Sequence, residues 1–154
     1  MTGKDDKPFT MAVVAHDRMK PVLRAWMERH QAVLTDAQIY ATGTTARVLQ
    51  EALPGITIEG LKSGPLGGDQ QVGAMIAGYD VDALVFFQDP MTPQPHDVDV
   101  KALIRLAVLY DVPLACNEAS ASLMIKSPLL ENYREMRSKR HRETQFEDYR
   151  HREL

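Results

Sequence analysis

A chain of 154 residues with 44% apolar and 25% charged positions amounts to about one domain, long enough to bury roughly 70% of its unfolded surface without staples. Its 18 Lys and Arg against 21 Asp and Glu leave a net charge of −3, with no basic excess to neutralise a nucleic-acid backbone, and no run reaches the roughly 18 apolar residues of a membrane-spanning helix. The polar residues 1–7 lack the apolar stretch of a secretory signal, and the lone Cys116 cannot close an internal disulfide, so the expected compartment is the cytoplasm.

Short apolar or β-branched runs alternate with longer stretches of helical period, the pattern of parallel strands joined by helices. A strand over residues 9–15 leads through His16-Asp17 into a helix over 18–32, with Lys20 one turn in and Pro21 suited to its first turn. A second strand, 38–41, passes through Thr42-Gly43-Thr44-Thr45 into a helix over 44–53. The third, 57–61, is followed by Ser63-Gly64-Pro65-Leu66-Gly67-Gly68-Asp69 and a helix over 69–78. Residues 83–87 are apolar without alternation, as in a strand covered on both faces; then come Gln88-Asp89-Pro90, His96-Asp97-Val98-Asp99 and a helix over 98–110. A strand at 113–115 and a helix at 119–126, joined by Asn117-Glu118-Ala119-Ser120, complete the pattern.

These elements predict a doubly wound three-layer α/β/α sandwich over residues 1–126, built on a five-stranded parallel sheet of flavodoxin-like or Rossmann-like layout. Residues 127–154 hold seven basic and six acidic side chains without an apolar stripe. They are expected to form a charged extension, helical or partly ordered and facing solvent.

In an open α/β sheet the loops at the carboxyl ends of the strands share one edge, where ligands bind, so five polar loops are expected to converge on one crevice. Thr42-Gly43-Thr44-Thr45 combines hydroxyls and a glycine with a helix start, whose free N–H groups suit a phosphate; equally, Thr44 or Thr45 could be a plain N-cap. No Walker A or GxGxxG pattern is present, which points to a phosphate smaller than a nucleotide. Ser63-Gly64 and Gly67-Gly68 let backbone amides approach an anion, and Lys20 leans back toward the crevice. Asp69 opens a helix and is either its cap or a base whose affinity for protons a nearby phosphate would raise. His16 and His96 lie in edge loops with Asp17, Asp89, Asp97 and Asp99 close in sequence, and a carboxylate would fix which imidazole nitrogen carries the proton. Asp97 reads as a plain helix cap, His30 as a surface residue, and His141 and His151 as parts of the charged tail. His16, Asp17, His96 and Asp99 could in principle ligate a metal, but their spacing matches no HExxH or CxxC pattern, so no metal is expected.

The segments Val14-Ala15-His16-Asp17 with Lys20, Tyr40-Ala41-Thr42-Gly43-Thr44-Thr45, the glycine-rich block from Ser63 to Ala74, and Gln88-Asp89-Pro90 through His96-Asp97-Val98-Asp99 together resemble methylglyoxal synthases, over about residues 9–126. The resemblance implies conversion of dihydroxyacetone phosphate to methylglyoxal and inorganic phosphate, without metal or organic cofactor. It implies Asp69 as the catalytic base, His96 as proton shuttle and contact to the substrate oxygens, and His16 as their orienter. Lys20, Thr42, Gly43, Thr44, Thr45, Ser63 and Gly64 would hold the substrate, with Asp17, Asp89 and Asp99 supporting the histidines. A homohexamer inhibited by phosphate is also implied, without nucleic-acid or membrane partners. The carboxyl end matches only loosely, so Arg150 and Arg152 are weak candidates for a second phosphate contact, and Arg105 reads as a surface or interface charge. Two other readings share the fold: a non-catalytic phosphate-sensing regulatory module, and an isomerase of triose phosphates.

Overall fold

The computed structural model describes residues 7–144 and 146–151. Strands β1 (Thr10–Ala15), β2 (Gln38–Thr42), β3 (Thr57–Leu61), β4 (Ala83–Phe87) and β5 (Leu114–Ala115) pair in parallel in the order β3-β2-β1-β4-β5. The helices are α1 (Lys20–Arg29), α2 (Gln31–Leu34), α3 (Thr45–Ala52), α4 (Gly68–Ala77), α5 (Asp97–Leu109), α6 (Glu118–Lys126), α7 (Leu129–Thr144) and α8 (Glu147–Arg150). The strands lie where the apolar runs predicted them, and the result is the expected three-layer α/β/α sandwich. Among the described residues no helix is long and apolar enough to cross a membrane.

Alternation along the strands sends side chains to two cores. Met11, Val13, Val85 and Phe87 pack with Trp26 of α1 and Leu49 of α3 on one face; Ala12, Val14, Leu84 and Phe86 pack with Val72 of α4 and Leu103 of α5 on the other. The fully buried β4 is thus covered twice, as its unbroken apolar run required. Because β2 and β3 extend to one side of β1 while β4 and β5 lie on the other, the chain reverses direction between β1 and β4. That reversal opens a crevice beyond their carboxyl ends.

The helix predicted over 18–32 is interrupted. A 3-10 turn, Asp17–Met19, precedes α1, which begins at Lys20, and His30 (φ −111°, ψ 19°) departs from helical geometry before α2. His30 is not the surface residue expected. Four residues after Trp26 it lies on the same helix face, with its ring 5.2 Å from the indole and only 9% exposed. Trp26 Nε1 donates to Ser122 Oγ at 3.0 Å, and that oxygen is 3.3 Å from His30 Nε2. Burial, then the charges of Lys126 and Arg29, holds the His30 pKa below its ordinary value.

Within the charged extension, α7 is fastened to the body through Arg134. Its guanidinium pairs with Asp82 (3.2 Å) and Glu131 (3.5 Å) and donates to the carbonyls of Lys7 and Pro8. Asp82 also accepts from Thr10 N at 2.9 Å. The attachment lies at the start of β1 and β4, opposite the crevice.

Candidate active site

Loops following β1, β2, β3 and β4 line the crevice. The fifth does not join them: β5 lies at the sheet edge, one strand beyond β4, and Asn117 instead caps α6 by accepting from Ser120 N at 2.9 Å.

On the β2 and β3 side, Gly43 takes a left-handed conformation (φ +61°) and its N–H is shared between the carbonyls of Leu61 and Lys62 at 3.2 Å each, which ties the two loops together. Thr42 and Gly43 line the crevice together with Ser63 and Gly64. Thr44 occupies the N-cap position of α3 without a side-chain cap bond; its hydroxyl instead accepts from Lys20 Nζ at 3.0 Å. The amides of Thr44 and Thr45 precede the first intrahelical bonds of α3 and have no acceptor within it, so the helix start presents donors as a phosphate site requires. The Thr45 hydroxyl is buried without a hydrogen-bond partner among the described residues and does not line the crevice. Of the glycine-loop amides, those of Leu66, Gly67 and Gly68 are consumed in bonds to the carbonyls of Ser63 and Gly64.

Lys20 is also 2.9 Å from Asp17, and this bond holds the Asp17 carboxyl below its usual pKa. Asp17 thus faces Lys20, and its side chain is almost wholly exposed.

Asp69 is the second residue of α4, whose N-cap position is held by Gly67, so it is not a cap. Its carboxylate is 1% exposed and neither oxygen accepts a hydrogen bond among the described residues. His96 lies beside it, with Nε2 3.5 Å from Oδ2, longer than a normal hydrogen bond. Burial raises the Asp69 pKa and the carboxylate of Asp99 adds to the rise, while His96 and His16 oppose it. An ionised carboxylate in that setting is poorly solvated and therefore basic.

His16 and His96 stand edge to face, with ring centroids 6.0 Å apart. The group that orients His16 is not a carboxylate, as sequence proximity suggested, but the backbone N–H of Asp89, which donates to Nδ1 at 2.9 Å. Accepting there places the proton of the neutral ring on Nε2, which is buried and free of protein partners among the described residues. Burial, then the nearby His96, lowers the His16 pKa, so the ring stays neutral and offers one N–H to the crevice. The Asp89 carboxylate turns away, accepting from Met91 N at 2.9 Å, and is held below its usual pKa by that bond. Asp99 sits in the first turn of α5 with its amide on the His96 carbonyl (2.9 Å). Neither Asp89 nor Asp99 lines the crevice.

His96, not Asp97, holds the N-cap position of α5; the Asp97 carboxylate accepts from Gln94 N at 3.3 Å and secures the preceding turn. Gln94 and Pro65 also line the crevice, and no periodicity or charge pattern had singled them out. Arg150 is described as exposed, while Arg152 and the side chain of His141 lie outside the described residues. Among the described residues no three His, Cys, Asp or Glu side chains gather as metal ligands do.

A family model described as an MGS-like domain matches residues 23–116. A methylglyoxal synthase of Rhizobium rhizogenes is 57% identical over 117 residues, covering 76% of this chain and 93% of that protein. Another, from Clostridium acetobutylicum, is 50% identical over 125 residues, covering 81% and 86%. In three dimensions the chain is similar to the crystal structure of methylglyoxal synthase from Elizabethkingia anophelis, with a TM-score of 0.80, 40% identity and coverage of 96% and 93%.

Proposed function

This chain belongs to the methylglyoxal synthase family, and on that premise we propose that it is a lyase that converts dihydroxyacetone phosphate to methylglyoxal and inorganic phosphate. The observation that carries the reading is the state of Asp69: a carboxylate withdrawn from water, without a hydrogen bond among the described residues, beside two imidazoles and facing loops that suit a phosphate.

In this reaction Asp69 takes a proton from the carbon that bears the free hydroxyl and neighbours the carbonyl. Nε2–H of His16 donates to the oxygen that becomes anionic, a role its fixed tautomer suits. His96, within reach of Asp69 and the same oxygens, moves the proton between them. The enediolate then breaks the bond from carbon to the bridging oxygen, and phosphate leaves with that electron pair. The remaining enol takes a proton on its methylene carbon and becomes methylglyoxal. Lys20, the N–H groups of Thr44 and Thr45, and the Ser63-Gly64 turn stabilise the departing phosphate. For elimination they must hold the bridging bond out of the plane of the enediolate, so that its electrons align with the bond that breaks.

The reading extends to a homohexamer, inhibited by its phosphate product and working in the cytoplasm. Exposed apolar side chains on the segments that follow β3 and β4, Leu66, Met91 and Val98, are surface that another copy would cover. Incubation of the purified protein with dihydroxyacetone phosphate tests the chemistry directly. Methylglyoxal and phosphate are expected in equal amounts; glyceraldehyde 3-phosphate, or no product, overturns the proposal.

A further inference from the structure

We infer that Gln94 is a further substrate-positioning residue, whose side-chain amide recognises the free hydroxyl of the hydroxyketone rather than its phosphate. The inference rests on the reaction proposed above for its ligand, and on the geometry of the loop after β4 for its role.

Gln94 is half-buried and lines the same crevice as Asp69, His16 and His96. Its backbone is secured on both sides. Gln94 N donates to the Asp97 carboxylate and Gln94 O accepts from Asp97 N, each at 3.3 Å, and Pro93 and Pro95 flank it, restricting the chain further. The side chain is held far less firmly. Its single bond runs from Nε2 to the carbonyl of Thr92 at 3.1 Å, a residue in the exposed part of the same loop. Among the described residues Oε1 has no donor. A fixed backbone with a side chain tied by one exchangeable neutral bond is suited to reach a ligand by turning about its χ angles, at the expense of that bond alone.

The strand order says which part of the ligand it meets. The phosphate-suited groups, Thr44, Thr45 and Ser63, follow β2 and β3, on one side of β1; Gln94 and His96 follow β4, on the other. A carboxamide donates and accepts at once, as a hydroxyl does, and being neutral it adds no charge beside Asp69. No other side chain lining the crevice is an amide. A hydroxyl next to the carbonyl, on the carbon that loses its proton, therefore finds its partner in Gln94.

Three probes separate this role from a merely structural one: dihydroxyacetone phosphate, hydroxyacetone phosphate (the same ketone without the free hydroxyl) and inorganic phosphate. Their affinities are measured calorimetrically on Asp69→Asn, in which consumption of the substrate is slowed, with and without Gln94→Ala. The expected result is a loss of about three- to tenfold in affinity for dihydroxyacetone phosphate alone, partly recovered in Gln94→Asn, with the other two probes unaffected. Equal losses for all three, or none, overturn the role of Gln94 while leaving the proposed reaction intact. Failure of dihydroxyacetone phosphate to bind even the Asp69→Asn protein overturns both, and turnover by the unaltered protein shows separately whether the reaction itself stands.

Discussion

Asp69 Oδ2 and His96 Nε2 lie 3.5 Å apart in a place where the carboxylate is 1% exposed and accepts no hydrogen bond among the described residues. Such an oxygen pair is costly to keep ionised. Asp69→Asn is therefore expected to divide activity from stability: kcat falls about 10²- to 10⁴-fold, KM changes little, and the midpoint of thermal unfolding rises at neutral pH. The sign follows from linkage. A carboxyl whose folded pKa is raised holds its proton more tightly folded than unfolded, so its cost to stability is full above the folded pKa and fades as pH falls toward the unfolded value. Melting curves of the two proteins should converge in acid, and kcat/KM of the unaltered protein should show an acid limb above the usual carboxylate range.

Lys20 bridges the loops after β1 and β2, 2.9 Å from Asp17 and 3.0 Å from the Thr44 hydroxyl. Asp17 is so exposed that its pair adds little to stability. Lys20→Ala should thus leave the melting temperature nearly unchanged while lowering kcat/KM about 10- to 100-fold, the scale for losing a charged hydrogen bond. Inhibition by inorganic phosphate, measured in the same assay, should weaken in parallel.

Much of this arrangement was legible in the chain, and each exception has a physical cause. Residues 83–87 announced a doubly covered strand because every position is apolar, and in the glycine-rich block Gly68 lets the loop after β3 pass close to the Lys62 carbonyl. Two of the misreadings depend on partners distant in sequence, and the third on a local turn. Asp89 supports His16 through its amide, 73 positions away, and no side-chain pattern encodes that. Along the chain His30 is one polar residue at a helix end, yet Ser122, 92 positions on, turns it into a core residue. Asp97 satisfies the usual preference for an acidic cap, but the N-cap position falls to His96 and the Asp97 carboxylate closes the loop before it.

The buried His30 predicts a loss of stability in acid. Its pKa is lowered by burial, so the unfolded chain takes up the proton first; stability is full above the unfolded value of 6.5 and is lost as pH falls below it. Trp26 is the sole tryptophan and touches His30, so its fluorescence during urea unfolding follows the effect. In His30→Asn the dependence between pH 6.5 and mildly acid conditions should flatten.

Arg134 joins α7 to Asp82 and to the carbonyls of Lys7 and Pro8 at the sheet edge opposite the crevice. Arg134→Ala should cost about 1 to 3 kcal/mol by leaving a mostly buried carboxylate without its cation, read as a shift in the urea midpoint. Cleavage by trypsin beyond residue 126 should quicken, with kcat and KM unchanged.

Two glycines five residues or fewer from Asp69 test how closely the loop after β3 is built around the histidine. A Cβ on Gly64 would lie 2.6 Å from His96 Nε2, and one on Gly68 1.9 Å from the carbonyl oxygen of Lys62. The first obstacle is the tip of a side chain, which can turn aside; the second is backbone, which can yield only if the loop shifts. Gly64→Ala is therefore expected to unfold within a few degrees of the unaltered protein yet lose about 10²-fold in kcat, the cost of misplacing a reacting group by about 1 Å. Gly68→Ala should lose stability first, by about 1 to 3 kcal/mol of overpacking, and activity as a consequence. Paired melting curves and initial rates distinguish the two: if Gly64→Ala retained full turnover, the position of the His96 imidazole beside Asp69 would not matter to the reaction, and its part in moving the proton would fall with it.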